Sequence, residues 1–143
     1  MKIEEILRSK GHDVVTITES KSVLDAAQVL VDHNIGGLVV MDGERPTGIL
    51  TERDILRLTA RNPGELGSIQ VGSVMTRELI TARPEDQLAE MMDVMTESKI
   101  RHLPVMEGDR LAGIISIGDL VNACRVMAEE ENSQLRQYIQ GAG

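Results

Sequence analysis

The order of apolar and polar positions along the chain predicts two similar halves. Short apolar runs bounded by turn residues indicate strands, and apolar residues that recur every three or four positions indicate helices. The strand-like runs lie at 14–17, 38–41 and 48–50 in the first half and at 103–106 and 113–115 in the second. Each half is therefore predicted to run strand, helix, strand, strand, helix.

Local signals place the ends of these elements. Ser22 is predicted to cap the first helix of the first half, and Asn34 and Lys99 are predicted to end the equivalent helices of the two halves. Asp42-Gly43 predicts a tight turn between two strands. Because Pro104 lacks an N–H group, we expect its nitrogen to face a sheet edge or a bulge.

A hydroxyl residue followed three positions later by an aspartate occurs twice at a strand-to-helix junction. Thr51 and Asp54 form the first pair, and Ser116 and Asp119 form the second, with the aspartates 119 − 54 = 65 residues apart. Such pairs can be simple helix caps, because the hydroxyl and the acid both favour a helix N-terminus. The same terminus can also bind an anion, and an outward carboxylate can accept from a sugar diol. Both interpretations remain open from the residues alone.

The predicted organisation is an α+β fold of two tandem repeats and a short extension. The boundaries are predicted at 1–62 for the first repeat, 63–69 for a linker that follows Asn62-Pro63-Gly64, 70–125 for the second repeat and 126–143 for a C-terminal helical extension. One repeat alone would leave a sheet face uncovered. We therefore expect the repeats to pack sheet against sheet with pseudo-twofold symmetry, and the apolar side of the extension to dock on a second subunit.

Composition excludes several classes of partner and compartment. A net charge of −8 and a single aromatic residue argue against nucleic acid, which needs a basic face and stacking side chains. The only cysteine, Cys124, leaves no intrachain disulfide or thiol-based zinc site. The early residues, Met1 to Glu5, do not resemble a signal peptide, because no long apolar run follows them, and no apolar stretch approaches the length of a bilayer span. We therefore expect a cytoplasmic protein with no membrane partner.

The sequence contains no pattern typical of a catalytic site. Ile49 stands where a phosphate-binding loop would need lysine, and His12, His33 and His102 are too scattered to indicate a metal site. No serine has the context of a nucleophile elbow. We therefore expect that the protein is not an enzyme and holds no catalytic cofactor or metal.

Both halves resemble the cystathionine-β-synthase (CBS) domain, whose motif ends in a glycine, a short apolar strand and Thr/Ser-x-x-Asp at the start of a helix. The resemblance runs from about Ile3 to about Cys124, as in a stand-alone bacterial-type protein made of one CBS pair, or Bateman module. It implies a homodimeric regulatory module that holds an adenosine nucleotide (AMP, ADP, ATP or NAD) between the repeats and signals to an unknown effector protein. The alternative is a structural dimerisation module that binds no nucleotide.

The resemblance also implies roles for individual residues. Asp54 and Asp119 would bind ribose hydroxyls, with Thr51 and Ser116 assisting at the ribose or the phosphate. Arg101 and His102 would reach the phosphate of the nucleotide held by Asp54, with Arg53 assisting. The adenine slots would be lined by the backbone around Thr16-Ile17 and around Thr81-Ala82, together with Ile35 and Ile100.

The two sites are expected to differ in charge. Gly36-Gly37 stand in the first repeat where Arg101-His102 stand in the second, and Ile117-Gly118 replace Glu52-Arg53. The Asp119 site is therefore expected to have fewer nearby cations. Since a charge-assisted contact contributes about 1.5–3 kcal/mol, tighter phosphate binding is predicted at the Asp54 site.

Overall fold

The computed structural model describes residues 1–142 of the chain and the side chains of residues 1–140. The helices are α1 (Ile3–Lys10), α2 (Val23–His33), α3 (Glu52–Arg61), α4 (Val71–Val74), α5 (Leu88–Ser98) and α6 (Ile117–Ala142). The strands are β1 (Thr16–Thr18), β2 (Gly37–Asp42), β3 (Arg45–Thr51), β4 (His102–Glu107) and β5 (Arg110–Ser116). Gly143, where the predicted extension ends, lies outside the described residues.

The α+β fold of two repeats is confirmed. In the first repeat β1 pairs parallel with β2, and β2 pairs antiparallel with β3. In the second repeat β4 pairs antiparallel with β5 in a register displaced by 65 residues, so that Gly37 opposite Thr51 corresponds to His102 opposite Ser116. The strands β3 and β5 meet where the two sheets pack together. This symmetry brings the N-termini of α3 and α6 to equivalent places.

The first strand of the second repeat is reduced to one bridge, between Ala82 and Val105. Ala82 N donates to Pro104 O at 2.9 Å, and Met106 N donates to Ala82 O at 2.8 Å. In a parallel ladder the next bond on either side would need an N–H from Pro84 or Pro104, and proline has none. The pairing therefore stops, and the nitrogen of Pro104 faces this edge, as predicted.

The predicted ends of helices α2 and α5 and the predicted turn of the first hairpin are confirmed. The Ser22 hydroxyl accepts from Asp25 N at 3.0 Å and caps α2. Asn34 and Lys99 end α2 and α5 in the left-handed conformation, with φ of 52° and 54°. Gly43 has a φ of 62° at the first position of a two-residue hairpin loop, as a type II′ turn requires.

The repeats have two separate hydrophobic cores, and the helix that precedes each repeat packs in the core of the other repeat. Ile3 and Leu7 of α1 lie in the core of the second repeat, whereas Val71 and Met75, in and just after α4, lie in the core of the first. Each repeat is thus completed by a segment that precedes the other in sequence. Burial of these apolar side chains is the main force that joins the repeats into one unit.

None of the helices within residues 1–142 is long and apolar enough to cross a bilayer.

Candidate nucleotide-binding site

Asp54 lies in the first turn of α3 and keeps one carboxylate oxygen available. Its Oδ2 accepts from Thr51 N at 2.9 Å and from the Thr51 hydroxyl at 3.0 Å, while Asp54 N donates to the same hydroxyl at 3.3 Å. Among the described residues, Oδ1 has no hydrogen-bond donor. The local cap and a ligand-binding role are therefore compatible, because they use different oxygens.

Asp119 has the equivalent position on α6, but it also forms an ion pair. Its Oδ2 accepts from Ser116 N at 2.8 Å and from Lys10 Nζ at 2.6 Å. Burial by itself would raise the pKa of the Asp119 carboxyl. The hydrogen bonds from Lys10 and Ser116 and the charge of Lys10 outweigh this effect and lower the pKa below its ordinary value. The carboxyl is thus held as an anion.

His102 lies between the two repeats at the pseudo-twofold axis. A Cβ on Gly37, the residue equivalent to His102, would lie 3.0 Å from the imidazole Cγ. A Cβ on Gly36 would lie 3.3 Å from both His102 Nε2 and a Glu52 carboxylate oxygen. The glycine pair therefore leaves the space that the imidazole fills, and His102 faces the N-terminus of α3 as well as its own repeat.

Burial lowers the pKa of His102 below its usual value. Glu52 and Asp119 raise the pKa of the imidazole, whereas Lys10 and Arg101 lower it, and the net shift is downward. The buried Nδ1 of His102 has no hydrogen-bond partner among the described residues. A neutral imidazole thus stands between two helix N-termini and next to charges of both signs.

The expected shortage of cations at the Asp119 site is wrong. Lys10, at the end of α1, forms an ion pair with Asp119 although the two residues are 109 positions apart in the sequence. The sequence did indicate that this segment is irregular, because Leu7 pairs with Met75 at an offset of 68 whereas later positions pair at 65. The segment around Lys10 therefore departs from the 65-residue offset of the repeat, and the contacts of Lys10 could not be inferred from that offset.

Arg53 and Arg101 are both exposed, and neither forms an ion pair within residues 1–140. Arg101 is fixed through its backbone, because its carbonyl oxygen accepts from Ile117 N at 2.8 Å, as the Gly36 oxygen accepts from Glu52 N at 2.9 Å. Arg101 therefore adjoins the N-terminus of α6, in its own repeat.

The residues expected to line the adenine slots differ in accessibility. Ile17 and Ala82 are buried, Ile35 and Ile100 are half-buried, and Thr16 and Thr81 are exposed. They occupy equivalent positions at the first strand and at the end of the following helix in each repeat.

An open cleft of about 1440 Å³ lies between the hairpin turns of the two repeats. It includes Thr16 but neither Asp54 nor Asp119. A smaller groove of about 320 Å³ between α2 and α3 includes Ile35 and Glu52. The structure thus brings Asp119, His102 and Lys10 together, whereas Thr16 lines a different cavity.

No group of three or more histidine, cysteine, aspartate or glutamate side chains in the described part of the chain could hold a metal ion. Cys124 is half-buried, and its Sγ lies 3.5 Å from Met92 Sδ, so it packs as a core residue.

Comparison with known proteins identifies the repeat. A family model described as CBS domain matches residues 3–61 and 71–126. CBSX3 of Arabidopsis thaliana, a mitochondrial CBS domain-containing protein, is 38% identical over 97% of this chain and 72% of its own length. YhcV of Bacillus subtilis, also a CBS domain-containing protein, is 35% identical over 75% of this chain and 76% of its own length.

Solved structures with the same fold include two informative cases. The CBS-domain containing protein ATU1752 from Agrobacterium tumefaciens gives a TM-score of 0.83 at 38% identity, covering 86% of this chain and 98% of that one. The CBS domain pair of MJ0100, in complex with 5′-methylthioadenosine and S-adenosyl-L-methionine, gives a TM-score of 0.77 at 26% identity, covering 91% and 98%. With both repeats matched and the paired Thr/Ser-x-x-Asp motifs in equivalent places, the chain belongs to the CBS-domain family as a tandem CBS pair.

Proposed function

We propose that this CBS pair is a regulatory module that senses an adenosine nucleotide (AMP, ADP, ATP or NAD) at the N-termini of α3 and α6. The observation that carries the proposal is the geometry of the two aspartates. Each uses Oδ2 for its local contacts and leaves Oδ1 without a donor among the described residues. A ribose diol supplies the donors that such an oxygen lacks.

One positive charge and one neutral imidazole, which can donate a ring N–H, lie near these carboxylates and suit a phosphate. Lys10 adjoins Asp119, and His102 faces both helix N-termini. Helix N-termini add the partial positive charge of their free N–H groups. MJ0100, a structural neighbour, was solved with two adenosine-containing ligands, which supports adenosine as the common part of the ligand. The bound state would act on a separate effector protein.

Thermal unfolding with and without nucleotide tests the proposal. At a hundredfold excess over Kd, a ligand should stabilise the protein by about 2.7 kcal/mol. The test compares the wild type with Asp54→Asn, Asp119→Asn and the control Asp25→Asn. Asp25 is suitable because it has the same place in a capping box with Ser22 on α2, where no ligand is proposed.

The proposal predicts that Asp54→Asn and Asp119→Asn reduce the nucleotide-induced shift, whereas Asp25→Asn lowers only the stability of the empty protein. If no adenosine compound raises the melting temperature of the wild type, the nucleotide function is wrong. The structural alternative would then remain, a dimerisation module in which the aspartates serve only as caps.

We also propose that the protein forms a homodimer through the groove between α2 and α3. Val31, which lines this groove, is 74% exposed, and Leu56 on α3 is 69% exposed. A protruding apolar side chain beside a groove can be self-complementary across a twofold axis.

A further inference from the structure

The side chain of Lys10 links the first helix of the chain to the candidate site of the second repeat. Its Nζ donates to Ile114 O at 2.8 Å and to Asp119 Oδ2 at 2.6 Å. An ammonium group has three hydrogens, and two of them are accounted for by these bonds. The third hydrogen of Lys10 has no acceptor in the described residues.

Asp119 is incompletely paired in the same way. Its Oδ2 serves Lys10 and Ser116, and its Oδ1 accepts no hydrogen bond from the described residues. The pair therefore presents one unused donor and one unused acceptor next to each other at the N-terminus of α6. A molecule that carries both a hydroxyl and an anionic oxygen can satisfy both groups without breaking the ion pair.

Within residues 1–140, the first repeat has no equivalent of this lysine. Asp54 Oδ2 accepts only from Thr51 among the described residues. The offset of 68 that pairs Leu7 with Met75 would place Glu78 opposite Lys10, with the opposite charge. The two sites therefore differ in electrostatics although their backbones are alike.

Charge balance indicates what the lysine does for a ligand. Without Lys10, a phosphate that approaches Asp119 would meet a carboxylate with no partner cation, and two like charges a few ångströms apart repel each other. With Lys10 at 2.6 Å from the carboxylate, the pair is neutral, and the free ammonium hydrogen attracts the phosphate. An uncharged nucleoside gains less from this ammonium, because a hydroxyl oxygen is a weaker acceptor than an anionic phosphate oxygen.

We infer that Lys10 is the phosphate-contacting residue of the Asp119 site and makes this site select an anionic nucleotide over an uncharged nucleoside. The inference rests on the proposed function, since it concerns the ligand of the same site. It assigns to α1 a role in ligand choice in addition to its role in the core of the second repeat.

Calorimetric titration of AMP and of adenosine tests this assignment. The titrations are made in an Asp54→Asn background, so that only the Asp119 site is measured, with Lys10 intact or changed to Met or Arg. Lys21→Met is the matched control, because Lys21 is an exposed lysine in the first repeat and the charge change is the same. The buried side chains Ile3, Ile6 and Leu7 hold α1 in place, so Lys10→Met is expected to fold.

Lys10→Met should weaken AMP binding about tenfold or more and change adenosine binding by less than about threefold, because only AMP carries an anionic phosphate for the ammonium to bind. Lys10→Arg should retain most of the preference for AMP, and Lys21→Met should leave both affinities unchanged. If Lys10→Met leaves the ratio of AMP to adenosine affinity unchanged, or tightens both ligands alike, Lys10 is only a structural tie and the inference is overturned. If neither compound binds the wild type, the proposed function fails together with the inference, which separates that result from the others.

Discussion

At the scale of single residues, two glycines let side chains from outside the sheets lie against the strands. Gly48 on β3 and Gly113 on β5 are equivalent positions, 65 residues apart. A Cβ on Gly48 would lie 2.5 Å from Met75 Sδ and 2.9 Å from the backbone oxygen of Thr76. A Cβ on Gly113 would lie 2.7 Å from a methyl group of Leu7. The first clash therefore includes backbone, whereas the second involves the end of a side chain.

This difference predicts unequal costs for the same substitution. Gly48→Ala should lower the free energy of unfolding by about 1–3 kcal/mol, because the methyl group must displace the segment that pairs Ile49 with Thr76. Gly113→Ala should cost less, because Leu7 can adjust its rotamer. Urea unfolding measures both, with Gly67→Ala as the control, since a Cβ there meets only a methyl group of Leu24 at 3.6 Å. A cost at Gly113 equal to that at Gly48 would contradict the prediction.

His102 gives a prediction about pH. Its pKa is lowered in the folded protein, mainly by burial, so the unfolded chain takes up the proton first as the pH falls. The stability that the neutral imidazole contributes is fully present above the unfolded pKa of about 6.5 and is lost as the pH falls from there toward the folded value. Glu52 and Asp119 oppose this shift, and Lys10 and Arg101 reinforce it.

Accordingly, the difference in free energy of unfolding between the wild type and His102→Gln should shrink as the pH falls from 7.5 to 5.5. Urea unfolding at several pH values measures this difference, and the other two histidines contribute equally to both proteins. A difference that stays constant, or that grows toward acid pH, would show that the imidazole is not held neutral.

At the scale of elements, the sequence was sufficient where an element depends on its own residues. Ser22 predicts the start of α2, the glycine in Asp42-Gly43 predicts the hairpin, and Pro104 predicts that its own nitrogen faces a sheet edge or a bulge. The shortening of the first strand in the second repeat could not be predicted from one residue, because it depends on Pro84 and Pro104 lying on the two paired strands of one ladder. Only the register in space shows that both missing N–H groups belong to the same pairing.

At the candidate site, too, the sequence did not predict contacts between segments that are far apart along the chain. The repeated motif identifies Asp54 and Asp119 as equivalent and places them in the first turn of a helix. It says nothing of Lys10, because the contact between Lys10 and Asp119 depends on which core α1 enters. The expectation of a cation-poor Asp119 site failed for that reason. The space that Gly36 and Gly37 leave for His102 is likewise a contact between repeats.

At the scale of the whole molecule, the exchange of amino-terminal helices makes the CBS pair one unit. The first repeat is completed by a segment from 71–75, and the second is completed by 3–10. His102 lies between the repeats, near the N-termini of α3 and α6. The exposed apolar side chains of the described residues include Val31 in the groove between α2 and α3 and Leu135 on the last turns of α6, which is 60% exposed.

The groove is the better candidate for a homodimer contact. It combines a cavity of about 320 Å³ with the protruding Val31, so that two copies can insert this side chain reciprocally across a twofold axis, whereas the end of α6 offers a single convex stripe.

Val31→Glu should therefore weaken dimerisation at least tenfold, because an unpaired carboxylate would be buried at the contact. Leu135→Glu is the matched control and should leave the dimer unchanged. Light scattering over a range of protein concentrations gives the mass of each variant, and circular dichroism checks that each is folded. A monomeric wild type would exclude the homodimer, and loss of the dimer in Leu135→Glu alone would place the contact on α6, as the sequence had suggested.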